Sequence, residues 1–190
     1  MKTLIAVLLI IPSLMVAQQQ RYSFANIPWG ASAEVVRQGM SEQGLTFTRV
    51  DEDGDLNFKG TLVGYSAGAV ALMNPAGQLV KTIVLIYVDD AKARQEYRAT
   101  KDVLTTKYGA PTNCFEYFKS PYEEGDGYEE QAIKLSKAVF TCFWGDPSHA
   151  AGNGSISLEI TTKLNLRLEY EGPNWHADFE RRKAKATKAF

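Results

Sequence analysis

Cysteine and histidine are scarce in this chain of 190 residues, which contains two of each. The two cysteines do not form a C-x-x-C redox pair, and two thiols without clustered histidines make a poor zinc site. His149 and His176 stand alone among loop and tail residues, with no spacing typical of paired metal ligands. We therefore interpret both histidines as surface residues and expect no metal ion or other cofactor.

A charge excess of either sign is also absent, since the formal net charge is −1. Nucleic-acid-binding domains usually carry a pronounced basic excess, so we expect no nucleic-acid partner. The contents of 45% hydrophobic and 23% charged residues are ordinary for a globular protein. Composition therefore predicts one folded domain rather than a disordered chain or a membrane bundle.

Long apolar runs are missing except at the N-terminus. Lys2 precedes an unbroken apolar run over 4–11, and Ala17 is a small residue before the expected cleavage site. This arrangement is typical of a secretory signal peptide over 1–17, and its apolar run is too short to span a bilayer. We expect an exported protein, periplasmic or extracellular, with a polar leader over 18–21 and no transmembrane segment in the mature chain.

The two cysteines, Cys114 and Cys142, both lie in the part of the chain that is expected to be exported. In an oxidising compartment two such residues are expected to form one disulfide, which would be a structural staple. The alternative is a pair of buried free thiols.

The first half of the chain alternates helix and strand signals. Ser32 is a residue type favoured at N-caps, and Gly44 is a C-terminal stop, so a helix is expected over 33–43. Glycines within 56–73 indicate bulges, a bend or the close approach of another element. Strands are predicted over 45–50, 56–73 and 79–88, the last of them central, with turns at 51–55 and 74–77.

The second half repeats this order. Asp90 is expected to cap the longest helix, which Gly109 and Pro111 end. The elements predicted after it are a strand over 114–118, an acidic loop over 119–130, a short helix to Lys137 and a strand over 139–144.

Residues 156–170 show the clearest alternation in the chain, with apolar side chains at the even positions other than Thr162 and polar side chains such as Arg167 at odd positions. A period of two is typical of an antiparallel sheet with one buried and one solvated face. The fold class that we predict is α+β, an antiparallel sheet of six or seven strands with two main helices on one face. The element order indicates a duplicated unit of one helix and three strands within a single domain over 22–172, followed by a basic tail over 173–190.

The segment Tyr22-Ser-Phe-Ala-Asn-Ile-Pro-Trp29-Gly30-Ala-Ser32 and the helix end Lys107-Tyr108-Gly109-Ala-Pro111 resemble a broad set of exported bacterial proteins of unknown function. Those proteins share an I-P-W-G-x-S motif and a K-Y-G-x-P helix end. At the level of fold they resemble modules of the beta-lactamase inhibitor protein and of small outer-membrane assembly lipoproteins. The resemblance covers roughly residues 22–112 and implies architecture only. This chain lacks the lipidation cysteine of the lipoproteins, and no catalytic residue carries over.

Residues 64–68 form a literal G-x-S-x-G with Ser66 at its centre. In an esterase this motif is a strand-to-helix turn that exposes the nucleophile. Acidic residues and then His149 or His176 follow in the required chain order. The residues after Gly68 are typical of a strand and a hairpin, however, so we interpret Ser66 as a small packing residue in a glycine-rich strand.

Two acidic stretches have some features of calcium loops. Residues 51–55 carry alternating carboxylates but lack the glycine and the glutamate that complete an EF-hand, so a hairpin turn is favoured. Residues 123–127 are similarly acidic, and we interpret them as part of a mobile loop.

Three further features have both a structural and a functional interpretation. Trp29 and Trp144 each precede a glycine at an element boundary, where an aromatic residue commonly anchors the core, although they also suit a ligand pocket. Residues 176–190 are basic and are interpreted as a solvated, frayed helix, with contact to an anionic surface or a partner as the alternative.

These observations lead to a functional hypothesis and one alternative. We expect an exported, non-enzymatic binding or protein-interaction module, because none of the candidate catalytic residues occurs in a sequence context typical of an active site. Its expected contact surface is the solvated face of the sheet together with the loop over 119–130. The alternative is a small secreted serine hydrolase that uses Ser66.

Overall fold

The computed structural model describes residues 22–145 and 154–188. The predicted signal peptide over 1–17, the leader over 18–21 and His149 lie outside these ranges. The described residues form one eight-stranded antiparallel sheet and four α-helices. The α+β class is therefore confirmed, whereas the predicted number of six or seven strands is too low. None of the described helices is long and apolar enough to cross a membrane.

The first half of the described chain is a helix followed by a four-stranded meander. The elements are α1 (Ala33–Glu42), β1 (Leu45–Val50), β2 (Leu56–Leu62), β3 (Tyr65–Met73) and β4 (Leu79–Tyr87). Each strand pairs antiparallel with the next one.

The second half repeats this plan, with one short helix inserted and a further helix added at its end. The elements are α2 (Ala93–Tyr108), β5 (Asn113–Phe118), α3 (Glu129–Lys134), β6 (Ala138–Gly145), β7 (Ser155–Ile160), β8 (Leu166–Glu171) and α4 (Trp175–Thr187). The strand order across the sheet is β1-β2-β3-β4-β8-β7-β6-β5, so the two meanders join through their last strands. Each half therefore contains one main helix and four strands, not the three strands that the sequence indicated.

The strand that sequence analysis missed arises from a hairpin inside 56–73. Val63 and Gly64 have φ values of 47° and 85°, and their neighbours Leu62 and Tyr65 pair directly. Two consecutive residues at positive φ are the backbone of a type I′ turn, for which Asn-Gly is the usual signal. Because a β-branched residue rarely adopts this conformation, the Val-Gly dipeptide carried only a weak turn signal.

The hydrophobic core lies between one face of the sheet and the helices α1 and α2. Alternation within each strand places one set of side chains on this core face. The even positions from Ile156 to Tyr170 are buried, as predicted, except Thr162, which is exposed in the turn between the strands. This stretch forms two strands, with Leu164 in the turn between them. The predicted close approach at the glycines is also found, because a Cβ atom on Gly60 would lie 1.9 Å from the carbonyl oxygen of Gly44.

The predicted basic tail is not a frayed helix, because α4 is attached to the sheet through Arg182. Its guanidinium donates to both carboxylate oxygens of Asp55 at 2.7 and 2.8 Å, and to Asp178 at 2.5 Å. It also donates to the carbonyl of Met73 at 2.9 Å. Burial opposes the charge on Arg182, but the hydrogen bonds to Asp55 and Asp178 outweigh it and raise the pKa of the guanidinium.

We expect Arg182→Ala to lower the free energy of unfolding by about 3 kcal/mol, since it leaves the buried carboxylate of Asp55 without its cation and that of Asp178 with Arg181 alone. Urea denaturation followed by circular dichroism measures the loss. Lys183→Ala removes the same charge from an exposed position of the same helix and should cost less than about 0.5 kcal/mol. Equal stability of the two variants would contradict the anchoring role of Arg182.

Candidate functional site

The face of the sheet opposite α1 and α2, called here the open face, is the candidate site. Side chains reach it from all eight strands, as the alternation and the register require. Among the described helices, α4 alone approaches it, with the Nζ atom of Lys81 4.6 Å from the centre of the Trp175 ring. The open face is therefore the surface of the sheet that α1 and α2 leave available to a partner.

The centre of the open face is a network of paired charges on β4, β7 and β8. Lys81 lies 2.6 Å from Glu169 and 2.7 Å from Glu171, and Arg167 lies 3.0 Å from Glu159 and 3.2 Å from Glu169. Each of these contacts joins two residues on the open face, either on neighbouring strands or on the same strand, where opposite charges stabilise one another.

Burial also affects this network. Burial raises the pKa of the Glu159 carboxyl. The positive charge of Arg167 lowers this pKa, and the negative charge of Glu169 raises it. Because both cations in the centre already bind carboxylates, this part of the face has no free cation to offer to an incoming anion.

An apolar cluster flanks the charged centre on each side. In the first half of the sheet, Val70, Ile83 and Leu85 are partly buried, and Tyr87 is 47% exposed. Tyr87 continues the row that Ile83 and Leu85 form along β4. This arrangement gives the first half of the open face a strip of apolar surface ending in an aromatic ring.

The second cluster lies on β5 and β6, at the opposite edge of the sheet. Phe115 and Tyr117 are 50% and 45% exposed, and their neighbours Val139 and Phe143 are partly buried. The rings of Phe115 and Phe143 meet edge to face, with centroids 6.3 Å apart. The open face therefore presents aromatic side chains on both sides of its charged centre.

A cleft of about 410 Å³ lies in the first half of the open face, and its lining combines the apolar strip with polar groups from β1 and β2. Gly68 lies on its floor, and a Cβ atom there would be 3.3 Å from the hydroxyl oxygen of Tyr87. Tyr87 therefore occupies the space above Gly68, and a larger residue at position 68 would crowd its side chain. The lining residues that reach the open face are Thr48, Arg49, Asn57, Lys59, Gly68, Val70, Ile83, Leu85 and Tyr87.

Sequence analysis did not identify the cleft, and the position of Arg49 shows why. Strict alternation in β1 would place Arg49 on the same face as Phe47, which packs against Phe58 in the core. A bulge between Phe47 and Arg49 instead places Arg49 opposite Asn57, on the open face. The only sequence signal for the cleft was the glycine in β3, which indicated close packing without indicating what packs there.

Ser66 lies on the open face in β3, opposite Thr61 and Tyr87. Its side chain is exposed, so the prediction that Ser66 packs as a small residue is wrong, although its placement in a strand is confirmed. The strand continues to Met73 and then turns into β4, so no helix follows the serine. His176 lies in the first turn of α4, and no contact joins it to Ser66 among the described residues.

The acidic stretch over 51–55 forms the predicted hairpin turn, and its carboxylates are bound within the protein. Asp51 accepts hydrogen bonds from the backbone amides of Asp53 and Asp55, both at 3.0 Å. Asp53 binds Lys185, which lowers the pKa of the Asp53 carboxyl, and Asp55 binds Arg182. These carboxylates hold the turn and α4 in place.

The loop over 119–130 lies beside α2, not on the open face that it was expected to extend. Glu124 lies 3.3 Å from Arg98, and Glu129 lies 3.2 Å from Arg94, both of which belong to α2. Asp126 accepts hydrogen bonds from two backbone amides of the loop, at 2.7 and 2.9 Å, and these lower the pKa of its carboxyl. The loop therefore belongs to the helix-covered side of the protein.

Cys114 and Cys142 face each other on β5 and β6 and form the predicted disulfide. With Glu116 they are the single cluster of three cysteine, histidine or acidic ligand groups found in the described ranges. Sulfur atoms joined in a disulfide are not thiolates, so this cluster does not suit a metal ion.

Both tryptophans that were considered as pocket residues have structural contacts. Trp144 is buried, and its indole nitrogen donates to the carbonyl of Gly109 at 3.0 Å. Trp29 donates to the carbonyl of Tyr22 at 3.0 Å and packs tightly against Gly172. Neither lines the cleft.

Comparisons of the chain with protein-family models, with curated proteins and with solved structures found no match.

Proposed function

We propose that this chain is an exported, non-enzymatic binding module that docks a partner protein on the open face of its sheet. The observation that carries the proposal is the exposure of Tyr87, Phe115 and Tyr117 on that face. Exposed aromatic side chains bury a large area at little cost in conformational entropy, and they supply much of the binding energy in protein interfaces.

The distribution of polarity supports a protein as the partner. The two apolar clusters are separated by charges that already pair with one another, such as Lys81 with Glu169. Interfaces between proteins typically combine apolar patches with satisfied polar groups in this way. A partner of similar breadth can contact both clusters, which lie in opposite halves of the eight-stranded sheet.

Two features support export. The Cys114–Cys142 disulfide is of the kind that persists in oxidising compartments outside the cytoplasm. The composition of residues 1–17 supports the same location, because it is typical of a signal peptide.

The hydrolase alternative has weaker support. A nucleophile elbow requires a sharp turn from strand to helix at the serine, and Ser66 lies within a continuous strand. We therefore propose binding rather than catalysis as the activity of the open face.

The proposal is tested by capturing a partner from an envelope extract of the native host with immobilised residues 18–190. Phe115→Ser combined with Tyr117→Ser removes two exposed rings from the open face and is expected to weaken binding of the captured partner at least tenfold. The matched control is Val103→Ser combined with Leu135→Ser, which removes two exposed apolar side chains from the helical side. The affinity of each variant for the purified partner is measured by titration calorimetry.

Two results would contradict the proposal. One is a partner that binds the open-face variant as tightly as the unmodified protein but loses affinity for the control variant. The other is esterase activity, or labelling by a fluorophosphonate, that disappears in Ser66→Ala.

A further inference from the structure

The cleft in the first half of the open face differs chemically from the rest of that face. Its floor is apolar, formed by Val70, Ile83 and Leu85 around Gly68, and the ring of Tyr87 stands at one end. With its volume of about 410 Å³, the cleft has room for a large apolar side chain. The corresponding cluster on β5 and β6 has exposed aromatic rings, and Lys119 lies at its end with its Nζ atom 6.0 Å from the centre of the Tyr117 ring.

The rim of the cleft carries two cations, Arg49 and Lys59. Both are exposed, and neither forms an ion pair with any described residue. This contrasts with Lys81 and Arg167 in the centre of the face, each of which contacts two carboxylates. Unlike the charged centre, the cleft therefore has positive charge available to a ligand.

An apolar floor beside two free cations is complementary to a group that has an apolar body and a negative charge. Arginine and lysine both bind carboxylates through charge-assisted hydrogen bonds, and arginine does so with two donors at once. Burial of the apolar body against the floor would contribute favourable binding free energy, and the cations at the rim would bind the negative charge. A cationic ligand would be repelled, and a neutral one would use only the floor.

We propose that this cleft binds a carboxylate carried next to a large apolar side chain on the surface of the partner protein. The inference rests on the proposed function, because it assigns the chemistry of one anchoring point in the interface proposed above. Arg49 and Lys59 bind the carboxylate, and the apolar floor of Val70, Ile83 and Leu85 receives the apolar group.

The proposal is tested with small probes in an NMR titration of ¹⁵N-labelled residues 18–190. The probes are 3-phenylpropionate, its neutral analogue 3-phenylpropanol and the cationic 3-phenylpropylammonium. We expect the anion to shift amide signals of β1 to β4 and to bind at least fivefold more tightly than the neutral probe, with the cation weakest. Equal affinities, or shifts confined to other strands, would overturn the proposal.

Arg49→Gln combined with Lys59→Gln is expected to remove the preference for the anion and leave the affinity for 3-phenylpropanol unchanged. The control, Lys137→Gln combined with Lys163→Gln, makes the same change in net charge at exposed positions in the other half of the chain and should retain the preference. A preference that survives in the cleft variant, or that the control loses equally, would refute the roles of Arg49 and Lys59.

The same variants separate this inference from the proposed function. A partner that loses affinity for the Phe115→Ser and Tyr117→Ser variant, but binds the Arg49→Gln and Lys59→Gln variant normally, would leave the open face as the interface and overturn the carboxylate site. A partner weakened at least tenfold by both variants would support both.

Discussion

Replacing Leu166 with aspartate is expected to leave the protein largely unfolded at room temperature. Leu166 is 1% exposed and lies on β8 between Ile86 of β4 and Ile160 of β7, all on the core face. An unpaired carboxylate at this position costs several kcal/mol, and a domain typically has only about 5 to 15 kcal/mol of stability. Far-UV circular dichroism and urea denaturation measure the effect.

The matched control introduces the same charge on the other face of the sheet. Thr61 is exposed on β2, and Thr61→Asp should change the free energy of unfolding by less than about 0.5 kcal/mol. Arg167→Asp is not a suitable control, although the alternation alone marks that position as tolerant. It would set a third carboxylate beside Glu159 and Glu169. Similar urea midpoints for Leu166→Asp and Thr61→Asp would show that the alternation does not define the core.

Removal of the Cys114–Cys142 disulfide is the second change for which a large loss is expected. The bridge joins residues separated by 28 positions, and closing such a loop restricts the unfolded chain by roughly 3 to 4 kcal/mol in the chain-entropy model. The bridge also ties β5, at the edge of the described sheet, to its neighbour β6. The variant Cys114→Ala combined with Cys142→Ala is therefore expected to lose stability of this order.

Urea denaturation of the oxidised protein, the reduced protein and the double variant measures the loss. The reduced protein isolates the effect of the bridge, because it keeps both sulfur atoms, including the buried one of Cys142. Mass spectrometry should show a gain of two hydrogens on reduction. Complete alkylation of both cysteines in the unreduced native protein would contradict the bridge itself.

Several parts of the fold were predictable because their causes are local in the sequence. The alternation over 156–170 follows from the two-residue period of a strand with one buried face. The turn over 74–77 follows from Asn, Pro and Gly at the positions that a type I turn favours, and Gly77 donates to Asn74 at 2.9 Å. The pairing of the cysteines followed from their number, since only one intramolecular bridge is available to two residues.

Other parts were not predictable, because their causes are contacts between distant residues. The hairpin at Val63 forms although valine disfavours the turn conformation, and pairing of β2 with β3 along seven residue pairs supports it. The helix α4 is anchored by Arg182 to Asp55, which lies 127 residues earlier in the chain. A basic tail and an acidic turn give no local sign that they bind each other.

The sequence by itself therefore determined the α+β class, the helix and strand signals that recur in both halves, and the buried face of the last two strands. Tertiary structure alone decided how the two halves join, which face stays open and which side chains meet on it. Arg49, Lys59 and Tyr87 come from three different strands, and they share one cleft only because of the strand order and the bulge in β1. The alternation of apolar and polar residues reflects preferences within a few neighbouring positions, whereas a binding surface depends on strand register across the whole sheet.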